Sequence, residues 1–112
     1  MVEEVIAEVL LAGAVMCVQA EEGPPACTRV LVGAETPVGT FPVVYVPDGL
    51  PGPLAAFAQD GDGRVFAVHV GHTPLRRKLL RRGVSSPITD GCINVPASWA
   101  GVLPQLRSIT IR

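Results

Sequence analysis

Aromatic residues are scarce in this sequence of 112 residues, of which 48% are hydrophobic but only 4% aromatic. A core of stacked rings is therefore excluded, and Val, Leu, Ile and Ala must fill the interior. Long hydrophobic runs are also lacking, because 12 glycines and 11 prolines separate the valine-rich segments. That pattern is typical of short strands joined by tight turns. The length fits one domain over residues 1–112, and the composition predicts a mainly β fold.

Neither sign of charge dominates, since nine Lys and Arg stand against ten Asp and Glu. The charges are nevertheless segregated: residues 1–62 hold nine of the acids, and residues 63–112 hold eight of the bases. Without a basic excess or aromatic residues among the bases, nucleic acid is disfavoured as a partner. The densest basic run, residues 76–82 with Arg76 and Arg77, is favoured as the solvated face of a short helix. The alternative is a rim that attracts an acidic substrate.

The N-terminal apolar stretch, residues 5–18, is interrupted by Glu8 and is too short for a membrane span. Read as a signal peptide, it would be cleaved after residues 18–20. Glu3 and Glu4, however, occupy the place where a signal peptide carries positive charge. The stretch is therefore interpreted as core strand, and we see no convincing signal peptide.

Hydrophobic periodicity and turn residues predict strands separated by short loops and two short helices. The predicted strands are 8–11, 15–19, 28–32, 41–46, 54–59, 64–70 and 108–111. The predicted helices lie at 74–82 and within 96–106. Trp99, in the second of these helices, is interpreted as a core anchor.

The three cysteines do not have equivalent surroundings. Cys17 and Cys27 flank the turn at 20–25 and would face each other directly in a hairpin centred on Glu22. A cross-strand disulfide in an oxidising compartment and two reduced cysteines packed in the sheet both remain open. In either case Cys92 is the odd cysteine.

Cys92 stands directly after Gly91, 23 residues after His69 and 20 after His72. An imidazole can take the proton of a thiol, and a glycine lets backbone amides approach a developing oxyanion. The competing interpretation is a small buried hydrophobic residue beside incidental histidines. Residue types alone therefore make a catalytic thiol one hypothesis of two.

Two segments resemble the L,D-transpeptidases, cysteine enzymes of bacterial cell walls. Residues 36–41, TPVGTF, are similar to the T-P-x-G-x-F signature of that family. The tripeptide Ala-Val-His at 67–69, followed by TDGCINV at 89–95, resembles its I-H…[ST]-H-G-C-x-N segment. Order and strand context agree from about residue 9 onward. The resemblance implies a small β-sandwich or barrel-like catalytic fold with one or two short helices.

The resemblance also implies roles for individual residues. Cys92 would attack the carbonyl between the third and fourth residues of a peptidoglycan stem peptide and release the terminal D-alanine. His69 would take the thiol proton, and amides around Gly91 and Cys92 would hold the oxyanion. Thr89 matches a hydroxyl position of the motif, and Asn94 matches its asparagine, which would brace the turn near the substrate. An amine acceptor gives a cross-link, water gives a carboxypeptidase, and no metal or cofactor is implied.

Several positions near this motif carry alternatives. Asp90 replaces the histidine that usually precedes Gly-Cys; its carboxylate either disfavours the thiolate or orients an imidazole. His69 is favoured as the base because it closes a strand, although His72 fits the common spacing better. His72 then becomes a substrate contact or an exposed residue. Arg76 and Arg77 would steer the carboxylates of the stem peptide.

Three functions are thus in play. The leading one is a peptidoglycan transpeptidase or L,D-carboxypeptidase, expected to be periplasmic or extracytoplasmic. The second is a domain of the same fold that binds stem peptides without turnover. The third is a small β domain with an incidental cysteine that binds a protein or nucleic acid through its basic segment.

Overall fold

The computed structural model describes residues 5–33, 35–49, 52–59, 61–63, 65–71, 75 and 92–112. Within these residues nine strands form two sheets, so the prediction of a mainly β fold is confirmed. The five-stranded sheet contains β1 (Val5–Leu10), β2 (Val15–Ala20), β3 (Ala26–Arg29), β4 (Gly39–Pro42) and β9 (Leu106–Ile111). The four-stranded sheet contains β5 (Val44–Val46), β6 (Leu54–Gln59), β7 (Val65–Val70) and β8 (Ile93–Val95).

Each sheet contains one parallel pair of strands. The five-stranded sheet has the order β3-β2-β1-β9-β4, in which β1 and β9 are parallel and the other neighbours antiparallel. The four-stranded sheet has the order β5-β6-β7-β8, in which only β7 and β8 are parallel. The parallel pair requires the chain to cross over between these strands, and it brings the start of β8 beside the middle of β7.

Aliphatic side chains from both sheets form one core. In β1 burial alternates along the strand, with Val5, Ala7 and Val9 turned inward. Two phenylalanines, Phe57 and Phe66, join this cluster, and everything else in it is aliphatic or methionine. The expected core of Val, Leu, Ile and Ala is therefore confirmed for most of the described buried residues, and Met16, Phe57 and Phe66 are additions to it. The largest fully buried side chains of the described residues are Met16, Leu31, Ile93, Leu103, Ile109, Ile111, Val9, Val30, Val68 and Val95, with Asn94 as the polar exception.

The predicted strand 41–46 is wrong as a single element. β4 ends at Pro42 in one sheet, and β5 begins at Val44 in the other. Pro42 has no N–H to continue a ladder, and the N–H of Val43 donates to the carbonyl of Arg107 on β9 (3.0 Å). The chain therefore changes sheets at Val43, where periodicity alone indicates unbroken strand.

Other boundaries moved by smaller amounts. The predicted strand 28–32 ends at Arg29, after which Leu31 makes only an isolated bridge, and β8 was not predicted because three residues give too little periodicity. The predicted strand 8–11 begins earlier, at Val5, and its last residue opens a 3₁₀ helix (Leu11–Gly13). The predicted helix within 96–106 is confirmed as a 3₁₀ helix, Ala97–Gln105, whose Trp99 packs partly buried against the core. The predicted helix 74–82 lies outside the described residues, apart from Leu75.

The cysteine hairpin is confirmed. Cys17 on β2 lies directly opposite Cys27 on β3, and the two form a disulfide with Cα atoms 4.0 Å apart. The oxidised alternative is thus the one in this structure. No helix among the described residues is long and apolar enough to span a membrane.

Candidate active site

The parallel pairing of β7 and β8 brings Cys92, the residue just before β8, beside the strand that carries His69. Val68 lies opposite Ile93, and His69 lies opposite Asn94. Cys92 directly precedes β8, so it lies two residues before the position opposite His69, roughly 7 Å back along the strand direction. Because side chains alternate along a strand, Val68 and Ile93 enter the core while His69 and Asn94 share the other face.

His69 is buried and held by its own strand. Its side chain is only 6% exposed, and Nδ1 lies 3.1 Å from the carbonyl oxygen of Val70. This contact assigns the proton to Nδ1, which donates to that carbonyl. In the neutral imidazole with its proton on Nδ1, Nε2 is the nitrogen that accepts a proton. The imidazole is therefore oriented as a general base would need to be.

The thiol of Cys92 lies at the start of the same strand pair. Its side chain is half-buried, and Sγ lies 3.9 Å from the carbonyl oxygen of Val65, a weak contact for a thiol donor. Val65 opens β7, whereas His69 stands near the end of that strand. This described contact of the thiol therefore lies at the beginning of β7.

Asn94 joins the two strands to a third segment. Its side chain is fully buried, and its backbone pairs in antiparallel fashion with Leu31 through two hydrogen bonds. The N–H of Leu31 donates to Asn94 (3.0 Å), and the N–H of Asn94 donates to Leu31 (2.9 Å). Leu31 thus covers the outer edge of β8. The sequence placed Leu31 in the predicted strand 28–32, but neither periodicity nor motif indicated that it pairs with β8.

The T-P-x-G-x-F segment forms a closed turn followed by the edge strand β4. The hydroxyl of Thr36 accepts the N–H of Gly33 (3.0 Å), and the N–H of Thr36 donates to the carbonyl of Gly33 (3.2 Å). Gly39 has a φ of 142°, and a Cβ there would lie 3.2 Å from the ring of Phe41. The ring also contacts Phe57, with centroids 5.7 Å apart. Thr36, Gly39 and Phe41 of this signature therefore each have a structural reason.

A cleft of about 640 Å³ opens beside His69. Its size lies in the range of small-molecule sites. Among the described lining residues, the phenol of Tyr45 and the imidazole of His69 are the polar side chains, and Cys92 lies outside this lining. Tyr45 is the single tyrosine of the chain, yet nothing in the sequence pattern marked it. The described lining consists of Tyr45, Gly52, Pro53, His69, Val70, Gly71, Ala100, Gly101, Leu103 and Pro104.

Several predicted site residues lie outside the described residues. The structure describes His69, Cys92 and Asn94 and brings these three together on β7 and at β8. The assignments of the others stay predictions. They are Gly91 at the oxyanion, and His72, Arg76, Arg77, Thr89 and Asp90 at the substrate.

Comparisons with known proteins identify the fold. No protein-family model matches the sequence, and no curated protein matches it. Among solved structures, an L,D-transpeptidase from Mycobacterium smegmatis aligns with a TM-score of 0.62 at 18% identity, over 98% of this chain and 59% of that one. L,D-transpeptidase 3 from Mycobacterium tuberculosis gives 0.64 at 15% identity, over 98% and 61%. An L,D-transpeptidase from Xylanimonas cellulosilytica gives 0.62 at 17% identity, over 100% and 62%.

This likeness establishes the fold. The chain has the fold of L,D-transpeptidases, so the expectation drawn from the sequence motifs is confirmed at that level. The chain spans about three fifths of the length of these solved structures. Sequence identities of 14 to 20% carry no statement about catalysis.

Proposed function

We propose that this chain is a cysteine acyltransferase of the L,D-transpeptidase type that acts on peptidoglycan stem peptides. Cys92 is the nucleophile and His69 the general base. The observation that carries the proposal is the parallel register of β7 and β8, which sets Cys92 and His69 on adjacent strands of this fold. The orientation of His69 through Nδ1 and its position beside a cleft support the same assignment.

The reaction has two half-steps. His69 Nε2 takes the proton of the Cys92 thiol, and the thiolate attacks the carbonyl between the third and fourth residues of a tetrapeptide stem. Backbone amides near Gly91 and Cys92 stabilise the oxyanion. The C–N bond breaks, His69 returns the proton to the amine of the departing D-alanine, and a thioester remains. An amine of a second stem then displaces the thiol to form a cross-link, whereas water releases a tripeptide.

Charge and compartment extend the proposal. Thr89, Asp90 and His72 contact the stem peptide, and Arg76 and Arg77 attract its carboxylates. Replacing both arginines by glutamate should raise the apparent KM for the stem peptide, more at low salt than at high salt. The enzyme acts in the periplasm or elsewhere outside the cytoplasm, where the Cys17–Cys27 disulfide persists.

A second candidate is a stem-peptide-binding domain that has lost turnover. One observation favours it: the described contact of the Cys92 thiol is with the carbonyl of Val65 at the start of β7, whereas His69 stands near the end of that strand. A carboxylate at Asp90 would add to this by opposing thiolate formation.

Intact-protein mass spectrometry after incubation with a purified tetrapeptide muropeptide tests both candidates. The transpeptidase proposal expects an acyl adduct on the protein and loss of D-alanine, both absent in Cys92→Ala. Dimeric products would indicate cross-linking, and tripeptides would indicate trimming. Binding of the muropeptide without adduct or product would replace the enzyme by the binding domain. Neither binding nor chemistry would refute both.

A further inference from the structure

The strand that follows the candidate nucleophile has one described residue bonded to its outer side. β8 contains three residues and pairs with β7 on one side. On its other side the described support is Leu31, whose N–H and carbonyl both bond to the backbone of Asn94, two residues after Cys92. Upstream, the N–H of Val30 bonds to the carbonyl of Ala14 (2.8 Å), which fixes where Leu31 begins its contact.

The downstream end of this brace is fixed by a side chain. Two residues after Leu31, the turn between Gly33 and Thr36 is closed twice, by the Thr36 hydroxyl and by its backbone N–H. Thr36 is only 7% exposed, so water cannot easily replace the hydroxyl as acceptor for the N–H of Gly33. The hydroxyl therefore restrains the direction in which the chain leaves Leu31.

We propose that Thr36 is a positioning residue for Cys92. It acts through the turn at Gly33, through Leu31 and through the backbone of Asn94, which sets where β8 starts. This links the T-P-x-G-x-F segment to the Gly-Cys-x-Asn segment by two sets of hydrogen bonds, which are joined through the backbone between Leu31 and Gly33. The inference rests on the proposed function, because it gives Thr36 a part in placing the nucleophile.

The chain offers a matched pair of threonines for the test. Thr36→Val removes a hydroxyl that makes a 3.0 Å hydrogen bond in the brace. Thr40→Val removes a hydroxyl that makes a 3.0 Å hydrogen bond to Thr110, exposed on the five-stranded sheet. Thr36→Ser keeps the hydroxyl and loses only a methyl group. The three variants and the wild type are compared at equal distance below their own melting temperatures.

Two measurements are made on each protein. The first is the rate at which imipenem, the β-lactam in the complex of one solved L,D-transpeptidase of this fold, forms a covalent adduct on Cys92, followed by intact mass. The second is amide hydrogen exchange at Leu31 and Asn94, followed by NMR. We expect Thr36→Val to slow acylation roughly 10-fold to 100-fold. We expect it to speed exchange at both amides roughly tenfold. Thr40→Val and Thr36→Ser should match the wild type in both.

The outcomes separate this inference from the proposed function. No adduct on wild-type Cys92 would overturn the proposed function and this inference with it. Normal acylation of the wild type with equal rates in Thr36→Val and Thr40→Val would overturn the inference alone. If Thr36→Val does not fold, Thr36→Ser decides, because loss of acylation in a variant that keeps the hydroxyl would assign the effect to the methyl group and overturn the brace.

Discussion

The five-stranded and four-stranded sheets are stabilised in different ways. In the five-stranded sheet β1 pairs with β9 along most of their six residues, and a disulfide joins the edge strand β3 to β2. The four-stranded sheet is bounded by β5 and β8, which have three residues each, and Leu31 is the one described residue that bridges the outer side of β8. The candidate active site lies on this less reinforced sheet. Substitutions of the same kind should therefore affect stability in one sheet, and both stability and chemistry in the other.

The largest effect should come from the base. His69→Asn keeps an amide donor near the carbonyl of Val70 but has no basic nitrogen. We expect the rate of imipenem adduct formation on Cys92 to fall about 10² to 10⁴-fold, the usual size of general-base catalysis. Intact mass gives the rate, and far-UV circular dichroism confirms folding.

The matched variant for this experiment is His72→Asn. It should lower the rate far less than His69→Asn does if His69 is the base, because His72 is assigned to substrate contact and not to proton transfer. A large loss in His72→Asn together with an active His69→Asn would exchange the two roles.

Core truncation sharpens the comparison between the sheets. Ile109 on β9 and Ile93 on β8 are both 0% exposed. Each change to Ala should lower the free energy of unfolding by about 2 to 5 kcal/mol in urea titrations. Only Ile93→Ala should also slow acylation of Cys92 in the folded protein, because Ile93 is the residue next to it.

Ile6→Ala provides the control, since this isoleucine is 56% exposed and should change stability by less than about 0.5 kcal/mol. If Ile109→Ala slowed acylation as strongly as Ile93→Ala, core truncation would affect the chemistry from either sheet, and the proposed difference between the sheets would be wrong.

Sequence reasoning located most strands because their burial alternates. The strand predicted at 54–59 is observed as Leu54–Gln59, and the strands at 15–19 and 64–70 shift by one residue. It failed where tertiary pairing decides the outcome: Val43 changes sheets, and β8 is a strand only because β7 and Leu31 pair with it.

The candidate site divides in the same way. Residue chemistry and motif resemblance selected Cys92, His69 and Asn94, but only the register brings them onto neighbouring strands. Tyr45 and Leu31 were not predicted as site residues, because their proximity to the site comes from folding alone and no local pattern encodes it.

Removing the disulfide should affect stability alone. The bond joins cysteines 10 positions apart, and a loop of that size implies a loss of about 3 kcal/mol in Cys17→Ser with Cys27→Ser. Equilibrium urea unfolding measures this loss. Acylation of Cys92 should remain at the wild-type rate in the folded double variant, because the pairing of β2 with β3 and the hydrogen bond from Val30 to Ala14 do not depend on the disulfide.

Cys92→Ser serves as the comparison: it keeps the disulfide and should retain wild-type stability within about 1 kcal/mol while losing the adduct. A double variant that is as stable as wild type but inactive would mean that the disulfide supports the chemistry of Cys92 and not the stability of the fold.

The smallest effect should come from the ion pair between Arg112 and Glu8. Their side chains are 65% and 42% exposed, so water and salt screen the attraction. We expect Arg112→Ala to cost less than about 1 kcal/mol, measured by thermal unfolding at low and high salt. The backbone bonds of Arg112 to Leu11 and Val9 remain in this variant. A cost that stays large in high salt would mean that the arginine stem, and not its charge, supports the sheet.

The order of the strands also determines how each sheet ends. An edge strand exposes unpaired N–H and carbonyl groups that can recruit the edge of another molecule and start aggregation. Proline has no N–H and interrupts such pairing, and within sheets it occurs mainly on edge strands. In this chain all four edge strands of the described sheets are bounded directly by proline: Pro24 and Pro25 precede β3, Pro42 ends β4, Pro47 follows β5, and Pro96 follows β8. A strand added at any of these edges would therefore meet a residue without an N–H at one end of the pairing, which shortens the ladder that a valine-rich chain with almost no net charge could extend.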